Sequence, residues 1–166
     1  MEKERILILD QERIDWKLQR MAYQIWEHNS TETAITIVGI ADSGLAVANN
    51  LADRLKKISS LQVTVLPIKM NKKHPLSEEI QLNEDLSGRS IILVDDVANS
   101  GKTLLYALRP LLAYELKRIM IAVLVDRKHK FFPITPDIVG QSVSTTIQEH
   151  IIVETRGNTI TAAYLQ

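Results

Sequence analysis

The sequence contains no cysteine, which excludes disulfides, iron–sulfur clusters, thiolate zinc sites and cysteine nucleophiles together. It also has no net charge: 20 Lys+Arg stand against 20 Asp+Glu in 166 residues. Phosphate neutralisation by Lys and Arg supplies most nucleic-acid affinity, so this balance argues against a chain whose main task is gripping RNA or DNA. Long apolar runs are absent too. The segment Ile119 to Val125 falls far short of the ~20 residues that a membrane-spanning helix needs. The charged start, Met1 to Arg5, is followed only by Ile6-Leu-Ile-Leu9, which does not make a secretory leader. What remains is 45% apolar and 24% charged, an ordinary globular composition. The expectation is one soluble, cytoplasmic domain.

Periodicity divides the chain into alternating strands and helices. Ile14, Leu18, Met21 and Ile25 fall on one face of a helix predicted over 11–29, with Asp10 or Asp15 at its start. A buried strand follows at 34–40, a loop from Ile40 to Gly44, and a helix at 45–58 with Val47, Leu51, Leu55 and Ile58 facing inward. Strands are predicted at 62–68, 90–94 and 118–126, a helix at about 102–114, and short strands at 138–139, 151–154 and 159–164. Residues 70–88 hold no sustained period and read as a long loop, a kind often used as a lid or binding segment. The near-continuous apolar strands alternating with helices imply an α/β fold with a mainly parallel sheet flanked by helices.

Ligands in such sheets bind beyond the carboxyl ends of the strands. The most informative of these ends is Ile91-Ile-Leu-Val-Asp-Asp-Val-Ala-Asn-Ser-Gly-Lys-Thr103. Its two acids can accept hydrogen bonds from sugar hydroxyls or hold a metal, while the loop and helix start offer N–H groups to a phosphate. A sugar phosphate meets both requirements at once. Gly-Lys-Thr alone suggests a Walker A loop, but that pattern wants glycine where this chain has Asp96. The acidic pair also brings receiver domains to mind, yet only residues 97–166 follow it, too few to complete one. The plain alternative is a strand ending in solvated acids, with Asn99 or Ser100 capping the next helix.

Residues 91–103 carry the whole signature of the type I phosphoribosyltransferases: an apolar strand, two acids, two mostly apolar positions, a variable residue, then Ser-Gly-Lys-Thr. The chain resembles in particular the family of pyrimidine-operon attenuators and uracil phosphoribosyltransferases. Ile6 to Asp10, Arg20 to Ile25, Ala122 to Arg127, His129, Pro133-Ile134, Asp137, Val139-Gly140 and Val143 carry that closer likeness. The resemblance implies a single phosphoribosyltransferase domain over 1–166, with a lid at about 70–88 and a small hood at about 126–166 joined by the N-terminus. It implies transfer of phosphoribose from phosphoribosyl pyrophosphate to a base, uracil foremost, with Mg²⁺ on the diphosphate. A catalytically weak nucleotide- or phosphoribosyl-pyrophosphate-binding regulator of the same fold is the alternative, including an RNA-binding attenuator.

By the same resemblance, Asp95 and Asp96 would bind the ribose hydroxyls near the reacting centre. Val97, Ala98, Asn99, Ser100, Gly101, Lys102 and Thr103 would cradle the 5′-phosphate. Ala41, Asp42, Ser43 and Gly44 would bind the diphosphate through their backbone, and Asp126 and Arg127 would lie near the base. No direct metal ligand follows, although Mg²⁺ would sit near Asp95 and Asp96.

The departures are equally legible. Ser43 stands where relatives carry a basic side chain, and Asp42 adds negative charge beside it, so Lys69, Lys72 or Lys73 would have to compensate. Asn99 replaces the acidic base of purine-salvage relatives, which favours a pyrimidine. Three basic and three acidic residues cancel within 11–29, which argues against attenuator RNA. The basic residues Lys117, Arg118, Arg127, Lys128 and Lys130 read as a solvated face. Trp16, Tyr23 and Trp26 read as packing or subunit-contact residues, and relatives suggest a homodimer or higher homo-oligomer. The four histidines show no metal-ligand spacing.

Overall fold

The computed structural model describes residues 4–166; the charged start at 1–3 lies outside them. Two sheets organise the chain. The larger one runs β3-β2-β4-β5-β6, built from β2 (Ala34–Ile40), β3 (Gln62–Ile68), β4 (Ser90–Ala98), β5 (Arg118–Arg127) and β6 (Ile138–Val143). All four of its pairings are parallel. The smaller one is antiparallel, β1 (Ile6–Leu9), β8 (Thr159–Leu165) and β7 (Ile151–Arg156) in that order.

The strict alternation of a strand, applied to continuous apolar runs, gives each face of the large sheet its own core. Ile92 and Val94 point to the face covered by α1 (Gln11–His28) and α2 (Ala41–Ile58). Ile91 and Leu93 point to the face covered by α3 (Lys102–Leu111) and by Leu86 of the 70–88 segment. Helix α1 buries the predicted stripe of Ile14, Leu18, Met21 and Ile25, with Ala22 beside it. Asp10 caps it, its Oδ1 accepting the Arg13 N–H at 2.8 Å. At its far end the buried Asn29 donates to the Ile25 carbonyl and accepts from the Ser90 hydroxyl, both at 2.8 Å. One side chain thus ends the helix and fastens it to β4.

Four expectations need correction. The strand expected over 90–94 continues to Ala98, because Val97 and Ala98 keep pairing with Val125 and Asp126 of β5. The loop expected from Ile40 to Gly44 does not exist: α2 begins at Ala41, whose φ of 51° turns the chain at once from strand into helix. Helix α3 stops at Leu111 rather than near 114. Pro110 has no N–H to give to the preceding turn, and the helix ends one residue later. The basic residues are a solvated face only in part: Lys117, Arg118 and Lys128 are exposed, while Arg127 is buried and Lys130 half-buried. Arg127 is 2% exposed, Lys130 pairs with Asp126 at 2.5 Å, and Lys117 pairs with Glu32 at 2.6 Å.

Trp16, Tyr23 and Trp26 do not pack into the core. They line the outer side of α1, exposed, with Tyr23 and Trp26 rings 6.4 Å apart. The 70–88 segment holds turns and bends without a helix or strand, as expected. No helix among the described residues is long and apolar enough to cross a membrane.

Candidate active site

Strand order reverses between β2 and β4: β3 lies outside β2 on one side, and β5 outside β4 on the other. A crevice opens at the carboxyl ends of the two strands flanking such a reversal. Pairing of β2 with β4 reaches only Gly39 and Val94, so Asp95 and Asp96 lie beyond the last paired residue, and Asp96 beyond the end of β2 at Ile40. Gly44, in the first turn of α2, fills the vacated side. A Cβ there would stand 2.9 Å from Asp95 Oδ1 and 3.0 Å from the Val94 carbonyl. The role of Gly44 is therefore close packing against the acid rather than loop flexibility.

Asp95 is fully buried. Its Oδ1 accepts from the Asp96 N–H and from Lys72 Nζ, each at 2.9 Å, while Oδ2 has no partner. Asp96 accepts from the Val97 N–H at 2.8 Å and from Lys72 at 3.4 Å. Burial lifts the Asp95 carboxyl well above the ordinary carboxylate range, the neighbouring Asp96 charge adds to this, and Lys72 opposes it. For Lys72 the pull of burial is downward, but the two carboxylates outweigh it and hold its pKa above the usual lysine value. One ammonium thus neutralises one of two stacked negative charges.

The acid pair lines a cavity of about 230 Å³. Its other walls are Lys72, the turn from Asn99 to Gly101, Thr103 at the start of α3, and Ile151 to Val153 of β7. Gly101 takes the left-handed conformation, φ 83°, that lets the strand turn into the helix. Ser100 Oγ accepts the Lys102 N–H at 3.2 Å within the turn, but the N-cap of α3 is Gly101 and has no side-chain cap, so neither Asn99 nor Ser100 caps the helix. The first turn of α2 has no side-chain cap. The Asn99 amide reaches across to β7, donating to the Ile151 carbonyl at 3.2 Å and accepting its N–H at 3.3 Å. It copies a strand ladder and ties the two sheets together.

Of the residues singled out in the sequence, Asp95 to Gly101 and Thr103 meet in this cavity, with Gly44 behind them. Lys102 faces away, towards Lys73, His74 and Tyr106. Ala41, Asp42 and Ser43 form the start of α2 beside the acids rather than a separate loop. Asp126 and Arg127 line no part of the cavity. The Arg127 guanidinium is buried on Thr145 Oγ1 at 2.6 Å and the Thr146 carbonyl at 2.7 Å, where it braces the segment between β6 and β7. The ion pair of Lys72 with the acids and the wall formed by Ile151 to Val153 were not anticipated; no local pattern announces either. A second cavity, of about 240 Å³, lies between residues 75–82 and α3. It is mainly apolar, and its two acids, Glu78 and Glu79, are exposed rather than buried at a strand end.

Residues 91–103, read in the sequence as a strand, an acid pair and a turn into a helix, form the end of β4, the pair Asp95–Asp96 and the turn into α3. Residues 7–156 match the phosphoribosyl transferase domain. The chain belongs to the phosphoribosyltransferase family. Within it, this phosphoribosyltransferase is PyrR-like. It is 33% identical over 160 residues to the bifunctional protein PyrR of Halalkalibacterium halodurans, with 89% of each chain covered. It is 34% identical over 155 residues to that of Streptococcus pneumoniae strain CGSP14, covering 89% and 88%. The hypoxanthine phosphoribosyltransferase of Trypanosoma cruzi superposes with a TM-score of 0.76 over 94% of both chains at 13% identity. The hypoxanthine-guanine enzyme of Bacillus anthracis gives 0.72 over 92% and 88% at 19% identity. At such identities the two structures speak for the phosphoribosyltransferase fold alone.

Proposed function

We propose that the protein transfers the 5-phosphoribosyl group from phosphoribosyl pyrophosphate to a nitrogenous base, uracil foremost, and releases diphosphate. The observation that carries this reading is the juxtaposition in one cavity of Asp95 and Asp96 with the turn at 99–101 and Thr103. A ribose 5-phosphate offers two hydroxyl donors to the acids and an anion to the turn. Asp95 Oδ1 and Asp96 Oδ1, which Lys72 reaches from the cavity, are the acceptors that such hydroxyls would use.

The reaction breaks the bond between ribose C1 and the diphosphate oxygen, whose electron pair leaves with the diphosphate. The base nitrogen supplies the new bond to C1, and the proton it loses leaves with the diphosphate. Positive charge grows on the ribose ring in between, and the acids below it favour that charge. Ile151 to Val153 and the lid at 70–88 keep water from competing with the base. Among the described residues no three His, Cys, Asp or Glu side chains gather to hold a metal. The two carboxylates that line the cavity, Asp95 and Asp96, suit Mg²⁺ in its usual role, shared between one or two carboxylates and substrate phosphates. When bound there, it would neutralise the leaving diphosphate.

Uracil is favoured because the PyrR-like relatives extend over nearly the whole chain and because Asn99 spends its amide on Ile151, leaving no acid at that position. The exposed stripe of Trp16, Tyr23 and Trp26 supports a homodimer or higher homo-oligomer. A nucleotide-binding regulator with little turnover remains as a second reading, favoured by Ser43 at the start of α2, where no cation accompanies the helix. Incubation with phosphoribosyl pyrophosphate, Mg²⁺ and a panel of labelled bases decides between them. Uridine monophosphate that disappears in the Asp95→Asn and Asp96→Asn variants supports the transferase. Nucleotide binding without product from any base overturns it in favour of the regulator.

A further inference from the structure

Resting on that reading of the cavity, we propose that Lys72 is the substrate-binding cation for the diphosphate, held in store on the acid pair until the ribose hydroxyls displace it. Three observations converge on this lysine. Its Nζ lies 2.9 Å from Asp95 Oδ1 and 3.4 Å from Asp96 Oδ1, on the acceptors that a ribose diol would use. Its side chain keeps 35% exposure on a segment without helix or strand, so it can move without breaking a sheet or a core. Asp95 Oδ1 also abuts Gly44, so the stored ammonium stands beside the uncapped first turn of α2. That turn carries Asp42 and Ser43 and no basic side chain.

Of the lysines near this end of the sheet, Lys72 is the one that lines the cavity; Lys73 and Lys102 face the opposite side of the segment. The exchange is electrostatically sensible in both directions. Before substrate arrives, the ammonium offsets the repulsion between two carboxylates, one of them fully buried. A diol then replaces N–H donors by O–H donors on the same oxygens, and the freed ammonium meets the polyanion entering beside α2. While Lys72 rests on the acids, their charges outweigh its burial and hold its pKa up.

This arrangement gives Lys72 opposite effects on two ligands. Uridine monophosphate brings a diol and a 5′-phosphate but no diphosphate, so it only pays to evict the lysine. Phosphoribosyl pyrophosphate evicts it and then uses it. Calorimetric titration of wild type and Lys72→Ala with each ligand, in Mg²⁺, separates the two. In Lys72→Ala the monophosphate should bind about threefold tighter or better, and phosphoribosyl pyrophosphate about tenfold more weakly, the size of one charge-assisted contact. Lys72→Arg should retain the phosphoribosyl pyrophosphate affinity, and Ser43→Lys added to Lys72→Ala should restore it from the α2 side. Parallel loss or parallel gain for both ligands, or no change in either, overturns the proposal while leaving the transferase reading intact. Wild type that binds neither ligand overturns both.

Discussion

Replacing Asp95 by asparagine should make the protein more stable while it ends ligand binding. In the folded state the carboxyl is fully buried, stands against the Asp96 charge and leaves Oδ2 without a partner. Removing its charge relieves a desolvation and repulsion cost of about 2–4 kcal/mol at neutral pH. The loss is the charged hydrogen bond to Lys72, about 1–2 kcal/mol, softened because that lysine is part exposed and keeps Asp96. Asparagine retains an oxygen for the Asp96 N–H. The balance is a gain of roughly 0–3 kcal/mol, about 1.5 kcal/mol at its centre, or about 3–6 °C in Tm for a chain of this size.

The pH dependence gives the sharper test. A carboxyl whose folded pKa is raised above its unfolded value costs stability once pH exceeds the unfolded value, and the cost is complete above the folded pKa. The advantage of Asp95→Asn should therefore be full above the raised pKa of Asp95, shrink as pH falls through it, and vanish near the unfolded value of about 3.9. Urea unfolding of both proteins between pH 4 and 8 measures this directly. A variant less stable than wild type at pH 7 by about 1 kcal/mol or more, or a gap that does not change with pH, would refute the reasoning.

Gly44→Ala should cost about 1–3 kcal/mol and weaken nucleotide binding, because its Cβ must displace Asp95 Oδ1 or the Val94 carbonyl; denaturation and titration report the two effects. Gly101→Ala meets both a φ of 83° and Ile134 Cγ2 at 2.7 Å, so a loss of at least about 2 kcal/mol in unfolding free energy is expected. Asn99→Ala removes both bonds to Ile151, at a cost of about 1–3 kcal/mol. Hydrogen exchange should speed up at the Ile151 amide while the interior of β4 remains protected.

The acid pair and the turn after it were legible because strand, acids, turn and helix start are contiguous, and each residue type there answers a local need. The helical stripe of α1 and its Asp10 cap were legible for the same reason. The start of α2 was not. Ala-Asp-Ser-Gly reads as a loop by propensity, but Gly39 fits against the Leu45 backbone, where a Cβ would lie 2.7 Å from its Cα. That closeness lets the strand turn into the helix without a connecting segment. Arg127 looked like part of a solvated basic run, since nothing in its neighbours announces Thr145 and Thr146 as its partners. Lys72 and the β7 wall depend on folding across 23 and 52 residues or more, a distance at which periodicity carries no information.

The antiparallel pairing of β1 with β8, Ile6 opposite Leu165, gives the two walls of the cavity different folding histories. The acid side needs only β2, β4 and β5 and is complete once residue 127 has been synthesised. The Ile151–Val153 side belongs to a sheet that joins the two ends of the chain and closes only when residue 165 is available. Contacts of such long sequence separation form slowly, after the local ones have reduced the search. The floor of acids can therefore form before the wall that shields it, and the cavity excludes water only once β7 and β8 have paired.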